Sequence, residues 1–466
     1  LDKMLEYAVQ RNGQYGFYFE TGQGADFTNG SGQGTDMVIH ESRKYGFARL
    51  LKMKVAESQQ KAGRAPASWV HVNDVAGFIG PEVFRTREQL VRCCLEDIVM
   101  GKLHGLTIGL DICSTLHMDV SLDDLDWCQD QIMPANPAYL MALPTKNDPM
   151  LGYLTTAYQD HVRLREKFGY KVNDKMWKFF QRIGVIDAEG KPASHFGDPL
   201  WVWYQFRLAK GDKRSKAEIV REGKRKMKEV RARGVYLAQA FDKQIWKMEP
   251  GLDREIRALY ADAKKSIWVE LEPSFVAAIP HAVRLKTRSA DRTDYILHPQ
   301  TGEVLDEPSL AALKDLKPKM QNQGEVQIVI SDGLNAHAIM DKGHLAPYLS
   351  ALEKNLHKYN LKPAPKILVL RGGRVRAGYR IGEILFGDLP DAREHRAIIH
   401  IIGERPGTMH HTFSAYISAP GIGIWKKGGI DHDITKVVSG IADTALKPEI
   451  AARETVKIIG QLFSSR

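Results

Sequence analysis

Three short apolar runs near the start of the chain end in polar side chains able to do chemistry. YGFYFE (15–20) ends in Glu20, WVHVND (69–74) in Asn73 and Asp74, and LTIGLD (106–111) in Asp111. If such runs are parallel strands, these residues stand at the carboxyl ends, where functional groups of α/β proteins collect. Helix capping accounts for any one of them. Together, Glu20 and Asp111 on neighbouring strands make an anionic pocket suited to a small cation. A charge-assisted hydrogen bond from an ammonium to such a carboxylate contributes about 1.5–3 kcal/mol. A fourth run, AYLMALP (138–144), brings in Met141, with Met150 just beyond it. Lone methionines ordinarily fill core gaps, because the thioether adapts to irregular space.

Other motifs carry weaker signals. The glycine-rich stretch TGQGADFTNGSGQG (21–34) lacks G-K-[ST] and lacks a G-x-G-x-x-G opening a helix, so it reads poorly as a nucleotide loop. Its glycines equally suit close approach by a large flat ligand. RGGRVRAG (371–378) follows a strand candidate without a dinucleotide fingerprint, and GERPG (403–407) sets Glu404 directly after another. A turn glutamate is the ordinary reading there. His410, His411 and His432 lack metal-ligand spacing and are expected at the surface; no metal site is expected. No nucleophile–base arrangement is readable.

The elements that must position these residues follow from the alternation of apolar runs and helical stretches. Residues 1–150 read strand, loop, helix, strand, the grammar of a parallel α/β sheet or barrel. Thr86 and Gln89 form the capping box of a helix that stops near Gly101. Four such units are half of an eightfold barrel. Residues 151–205 read as helical with an aromatic end, HFGDPLWVWYQF, and 206–290 as charged helices. A polar, turn-rich stretch near 291 leads into a second pattern. EVQIVISDG (325–333), KILVLRGG (366–373) and RAIIHIIGERPG (396–407) are buried-strand candidates, with a helix near His344–Tyr359, as in a separate open α/β domain.

Composition narrows the function classes. The 466 residues are 43% apolar, enough for two or three domains. The chain has no run long and apolar enough for a membrane span and no signal-peptide core at its start. Four cysteines without a C-x-x-C pair favour a reducing compartment, the cytoplasm. Much of the net charge of +10 comes from 207–233, with twelve basic and four acidic residues. That spacing is expected of a solvated helix face rather than a nucleic-acid site.

The stretches FETGQGADF, NDVAGFIGPE, LEDIVMGKLHGLTIGLD and PTKNDPMLGYLTTAYQDH resemble the large subunit of ethanolamine ammonia-lyase. VQIVISDGL, GRVRAGYRIGEILFGD and IIGERPG resemble its small subunit, in the same order. The resemblance implies the C-terminal half of a (β/α)8 TIM-type barrel over 1–205, a helical extension over 206–290, and an open Rossmann-like α/β domain over 291–466. It implies an adenosylcobalamin-dependent radical deamination of ethanolamine to acetaldehyde and ammonia. It also implies a homo-oligomer, and a place in the cytoplasm or a bacterial microcompartment.

Carried over by motif, Glu20 resembles the family glutamate that contacts amine and hydroxyl, and Asp111 the aspartate that binds the amine. Val75, Phe78 and Met141 are similar to the pocket wall. Thr28, Met150, Val375 and Glu404 resemble cobalamin contacts. The family's first barrel half, bearing an arginine, a glutamine and an asparagine for the substrate, would precede Leu1. The alternative is a non-catalytic fragment that binds cobalamin or a partner.

Overall fold

The structure is a computed structural model that describes residues 2–11, 17–22, 37–65, 70–75, 85–148, 152–233, 247–390, 395–407, 411–431 and 434–464. Thr28, Phe78 and Met150 lie outside the described residues. The chain divides into two compact units: Leu1–Pro149 with Tyr153–Tyr260, and Met150–Gly152 with Ala261–Arg466.

The first unit is built on strands β1 (Phe17–Gly22), β2 (Val70–Val75), β3 (Thr107–Asp111) and β4 (Tyr139–Leu140). They lie in the order β1-β2-β3-β4, all parallel. Helices Met37–Lys61, Arg87–Leu103 and Leu122–Ile132 provide the crossovers that parallel pairing requires. Arg87–Leu103 begins at Thr86 with the expected capping box to Gln89. The acidic segment after β3 opens a helix in the same way, through Ser121 and Asp124, and Arg87 pairs with Asp124 at 2.8 Å.

Register decides which side chains meet. Glu20 is level with Asn73, Asn73 with Gly109, and Gly109 with Tyr139. One pleat further on, Gly22 is level with Val75 and Val75 with Asp111. Side chains alternate with a period of two. Tyr18, Glu20, Asn73, Val75, Asp111 and Tyr139 therefore share one face, and Phe17, Val72, Ile108 and Leu110 occupy the other, where all four are buried. The crossover helices cover that apolar face: a Cβ at Gly101 would overlap the Ile108 side chain, so the Arg87–Leu103 helix presses directly on β3.

β4 is shorter than its apolar run. Beyond Leu140 the chain leaves the sheet; bridges Leu143–Ala157 and Asn147–Leu154 bring 143–148 and 152–157 together, and Ser114–Leu154 ties the later segment to β3's extension. Lys146 anchors 143–148 to Asp126 and, at 3.5 Å, to the buried Asp160. The basic stretch forms an ion-paired turn, Arg207 and Arg214 on Asp212, followed by the helix Lys216–Ala232, which buries only Ile219 and Gly223.

The second unit holds a six-stranded mixed sheet of β5 (Ala282–Lys286), β6 (Val326–Ser331), β7 (Ile367–Arg371), β8 (Ala397–Gly403), β9 (Phe413–Ser418) and β10 (Thr435–Ile441). Its order is β10-β9-β8-β6-β7-β5, parallel from β5 to β8 and antiparallel through β9 and β10. β6 and β8 are buried along their whole length. Helices Leu345–Lys358 and Pro448–Ser464 pack on one face through Tyr348, Leu352, Val456 and Ile459. Glu307–Gln323 and Val375–Phe386 pack on the other through Leu313, Met320, Ile381 and Leu385.

Two corrections to the sequence reading stand here. β5 lies inside 206–290, a stretch expected to be charged helices, because Ala282–Lys286 is an edge strand with only Leu285 buried. His411 is not a free surface residue; its Nδ1 is 2.7 Å from Asp341 Oδ2, which raises the imidazole's pKa.

Candidate functional site

The polar face of the first sheet carries the candidate site. Glu20, exposed at the end of β1, receives Asn73 Nδ2 and Tyr18 Oη, each at 3.4 Å from Oε1. Asn73 is fully buried, and its Oδ1 has no hydrogen-bond partner among the described residues. Asp111 is 6% exposed, and the buried Thr155 hydroxyl donates to its Oδ1. Glu20 and Asp111 are not on neighbouring strands as expected: β2 lies between β1 and β3, and the two residues are two strands and two residues apart, which places their α-carbons about 12 Å from each other. Their side chains lie on the same face of the sheet.

Neighbouring phenols sense both charges. Burial raises the Tyr18 pKa most, and the Glu20 and Asp111 carboxylates raise it further. Tyr153 is raised by burial, then by Asp111 and Asp148, with Cys113 and Glu20 adding less. Tyr139, raised mainly by burial, feels Tyr18 and Glu20. An anionic face of this kind concentrates a cation by field as well as by contact.

Of the residues expected here, Glu20, Asp111 and Val75 come together on one face. Val75 is half-buried and level with Asp111. Met141 follows two residues after Tyr139 and is 38% exposed. Its N–H donates to Leu110 O and its carbonyl accepts from the Thr156 hydroxyl. Tyr139 and Thr155 carry no motif that sequence reasoning exploited. Thr155 reaches Asp111 only through the Ser114–Leu154 bridge, a pairing 40 residues apart in sequence.

In the second unit, Val375 and Glu404 stand at the carboxyl ends of β7 and β8, on either side of β6. The helices leaving β6 and β7 go to opposite faces of the sheet, which makes this end a topological switch point, the place where open α/β sheets bind ligands. Val375 opens its helix, and its carbonyl accepts from the buried His400 at 3.3 Å. Glu404 Oε1 accepts from Tyr416 at 3.3 Å. Gly333, at φ +60°, lies so close to β8 that a Cβ would come within 2.1 Å of Gly403 O. The backbone of Asn335 packs on Gly403; its side chain is fully buried, and both amide atoms lack partners among the described residues.

Among the described residues, no three His, Cys, Asp or Glu side chains are placed to hold a metal ion, and no helix is long and apolar enough to cross a membrane.

Comparison with known proteins gives two consecutive matches. Residues 2–195 match the family model described as Ethanolamine ammonia lyase large subunit (EutB), and 230–466 match Ethanolamine ammonia-lyase light chain (EutC). The large subunit of Escherichia coli K12 is 33% identical over 187 residues, 40% of this chain and 38% of that protein. The small subunit of Ralstonia nicotianae is 28% identical over 156 residues, 32% of this chain and 54% of that protein. The small subunit of Pseudomonas paraeruginosa is 35% identical over 123 residues, 26% of this chain and 41% of that protein. The chain thus spans about two fifths of its large-subunit relatives and about half of its small-subunit relatives.

Proposed function

Because the chain belongs to the ethanolamine ammonia-lyase family, with large-subunit and small-subunit sequence joined in one polypeptide, we propose that it takes part in the adenosylcobalamin-dependent deamination of ethanolamine to acetaldehyde and ammonia. The observation that carries this reading is the shared face of Glu20 on β1 and Asp111 on β3, on either side of β2, two carboxylates that suit a small ammonium-bearing ligand. The sequential, all-parallel order of β1–β4 supports half of a (β/α)8 barrel over 1–205. The sheet of the second unit, with β5 at one edge, supports a Rossmann-like domain that takes in 291–466 and reaches back into 206–290.

Cobalamin presents a ring of amide side chains, each both donor and acceptor. The switch-point end of the second sheet offers matching chemistry: the Glu404 carboxylate and, beside Gly403, the orphaned amide of Asn335. Val375 and Glu404 would hold that group; Thr28 and Met150 resemble further cobalamin contacts of the family. When bound, adenosylcobalamin supplies the carbon radical that takes hydrogen from the substrate.

The chain's own residues bind and orient the substrate. Glu20 and Asp111 accept N–H bonds from the ammonium, and Glu20 also reaches the hydroxyl. Val75, Phe78 and Met141 wall the site and limit water. As nitrogen leaves its carbon, the two carboxylates remain fixed acceptors for it, so stabilisation follows the moving charge without reorganisation.

The test is ammonia release from ethanolamine in the presence of adenosylcobalamin. Release that needs both components supports catalysis. Cobalamin retention without release supports the alternative, a non-catalytic binding fragment.

A further inference from the structure

Each of the two carboxylates accepts from a buried neutral donor that comes from a different element. Asn73, fully buried on β2, points Nδ2 at Glu20 and leaves Oδ1 without a partner among the described residues. Thr155, 1% exposed in the segment 152–157, donates its hydroxyl to Asp111 Oδ1. A buried amide oxygen without a partner is unfavourable, because it has given up its hydrogen bonds to water. A fold optimised only for stability would place an apolar side chain at position 73, level with Gly109 and beneath Tyr139. The amide earns its place through its direction: the donor end faces the carboxylate, and flipping the group would set oxygen against oxygen.

We propose that Asn73 and Thr155 are the positioning residues of the ammonium site, one for each carboxylate: Asn73 aims Glu20 and Thr155 aims Asp111. Neither touches the substrate; each acts through its carboxylate. The inference rests on the reading of Glu20 and Asp111 as the ammonium site.

A double-mutant cycle separates positioning from general packing, because only a residue that acts through its partner loses its effect when that partner is already disabled. Ethanolamine binding to the full chain is measured by isothermal titration calorimetry without adenosylcobalamin, for Thr155→Val and Asn73→Leu alone and combined with Asp111→Asn and Glu20→Gln respectively. Each single change is expected to weaken binding roughly tenfold or more, the size of a lost charge-assisted hydrogen bond. The same change in the carboxamide background is expected to alter binding less than about twofold. Thr155→Ser, which keeps the hydroxyl, is expected to bind like the wild type. Equal losses in both backgrounds, or Thr155→Ser behaving like Thr155→Val, overturn the inference while leaving the ammonium site standing. Failure of the wild-type chain to bind ethanolamine overturns the site reading and the inference with it.

Discussion

Tyr139 lies across Gly109: a Cβ at that glycine would be 1.8 Å from the phenol ring. The two residues are level on β4 and β3, and the next residue in the row is Asn73. The ring therefore lies flat on β3 in the row of Asn73, and glycine is required at 109 for it to do so. Gly109→Ala must push a half-buried ring off its seat. The expected cost is about 1–3 kcal/mol, typical of overpacking, read as a lower urea midpoint, with weaker ethanolamine binding alongside. An unchanged midpoint would mean that the ring does not occupy this space in solution.

Glu20→Gln and Asp111→Asn keep size but remove the charge proposed to meet the ammonium. Each should reduce turnover by tenfold or more, given about 1.5–3 kcal/mol for a hydrogen bond to a charged group. Retention of cobalamin, followed by its visible absorbance after gel filtration, should stay as in the wild type. Normal turnover in both variants would remove the site.

Much of this site is legible in the sequence because it is local. Glu20, Asn73 and Asp111 terminate apolar runs, and strand ends are where such groups gather in parallel sheets. The Thr86 capping box is equally local. What is not legible depends on pairing. Thr155 gains its role only when the segment 152–157 pairs with β3's extension. β9 hides Ser414 and Ser418 at buried positions, so its run FSAYIS reads as polar. β5 and β10 are edge strands, whose partly exposed residues show no continuous apolar pattern.

Asp332 and Arg292 form a buried pair at 3.2 Å just beyond β6, and Asp332 Oδ1 also accepts the Gly372 N–H at 2.9 Å. The aspartate therefore fixes the turn that leads to Val375. Removing only the cation strands a buried carboxylate, already pushed upward in pKa by burial. Arg292→Met should cost about 3–5 kcal/mol, and adding Asp332→Asn should recover part of it, since no charge is then left unpaired. Urea denaturation of the three proteins measures this, and a harmless Arg292→Met would count against the pair.

His400 is the acid-sensitive element of the same region. It is buried between Ser331, 2.6 Å from Nε2, and the Val375 carbonyl, 3.3 Å from Nδ1. Burial lowers its pKa from 6.5 to about 4, with the Val375 carbonyl opposing the shift. Between those values the unfolded chain holds the proton and the folded chain does not, so stability rises with pH across that window. The contribution is complete above about pH 6.5 and is lost as pH falls to about 4, a change of about 3 kcal/mol. His400→Gln should lower stability at neutral pH, through the broken contacts to Ser331 and Val375, yet flatten the pH dependence between 6.5 and 4 relative to the wild type. Urea midpoints taken at half-unit pH intervals decide it: parallel curves for the two proteins would show that the imidazole is not held neutral behind Val375.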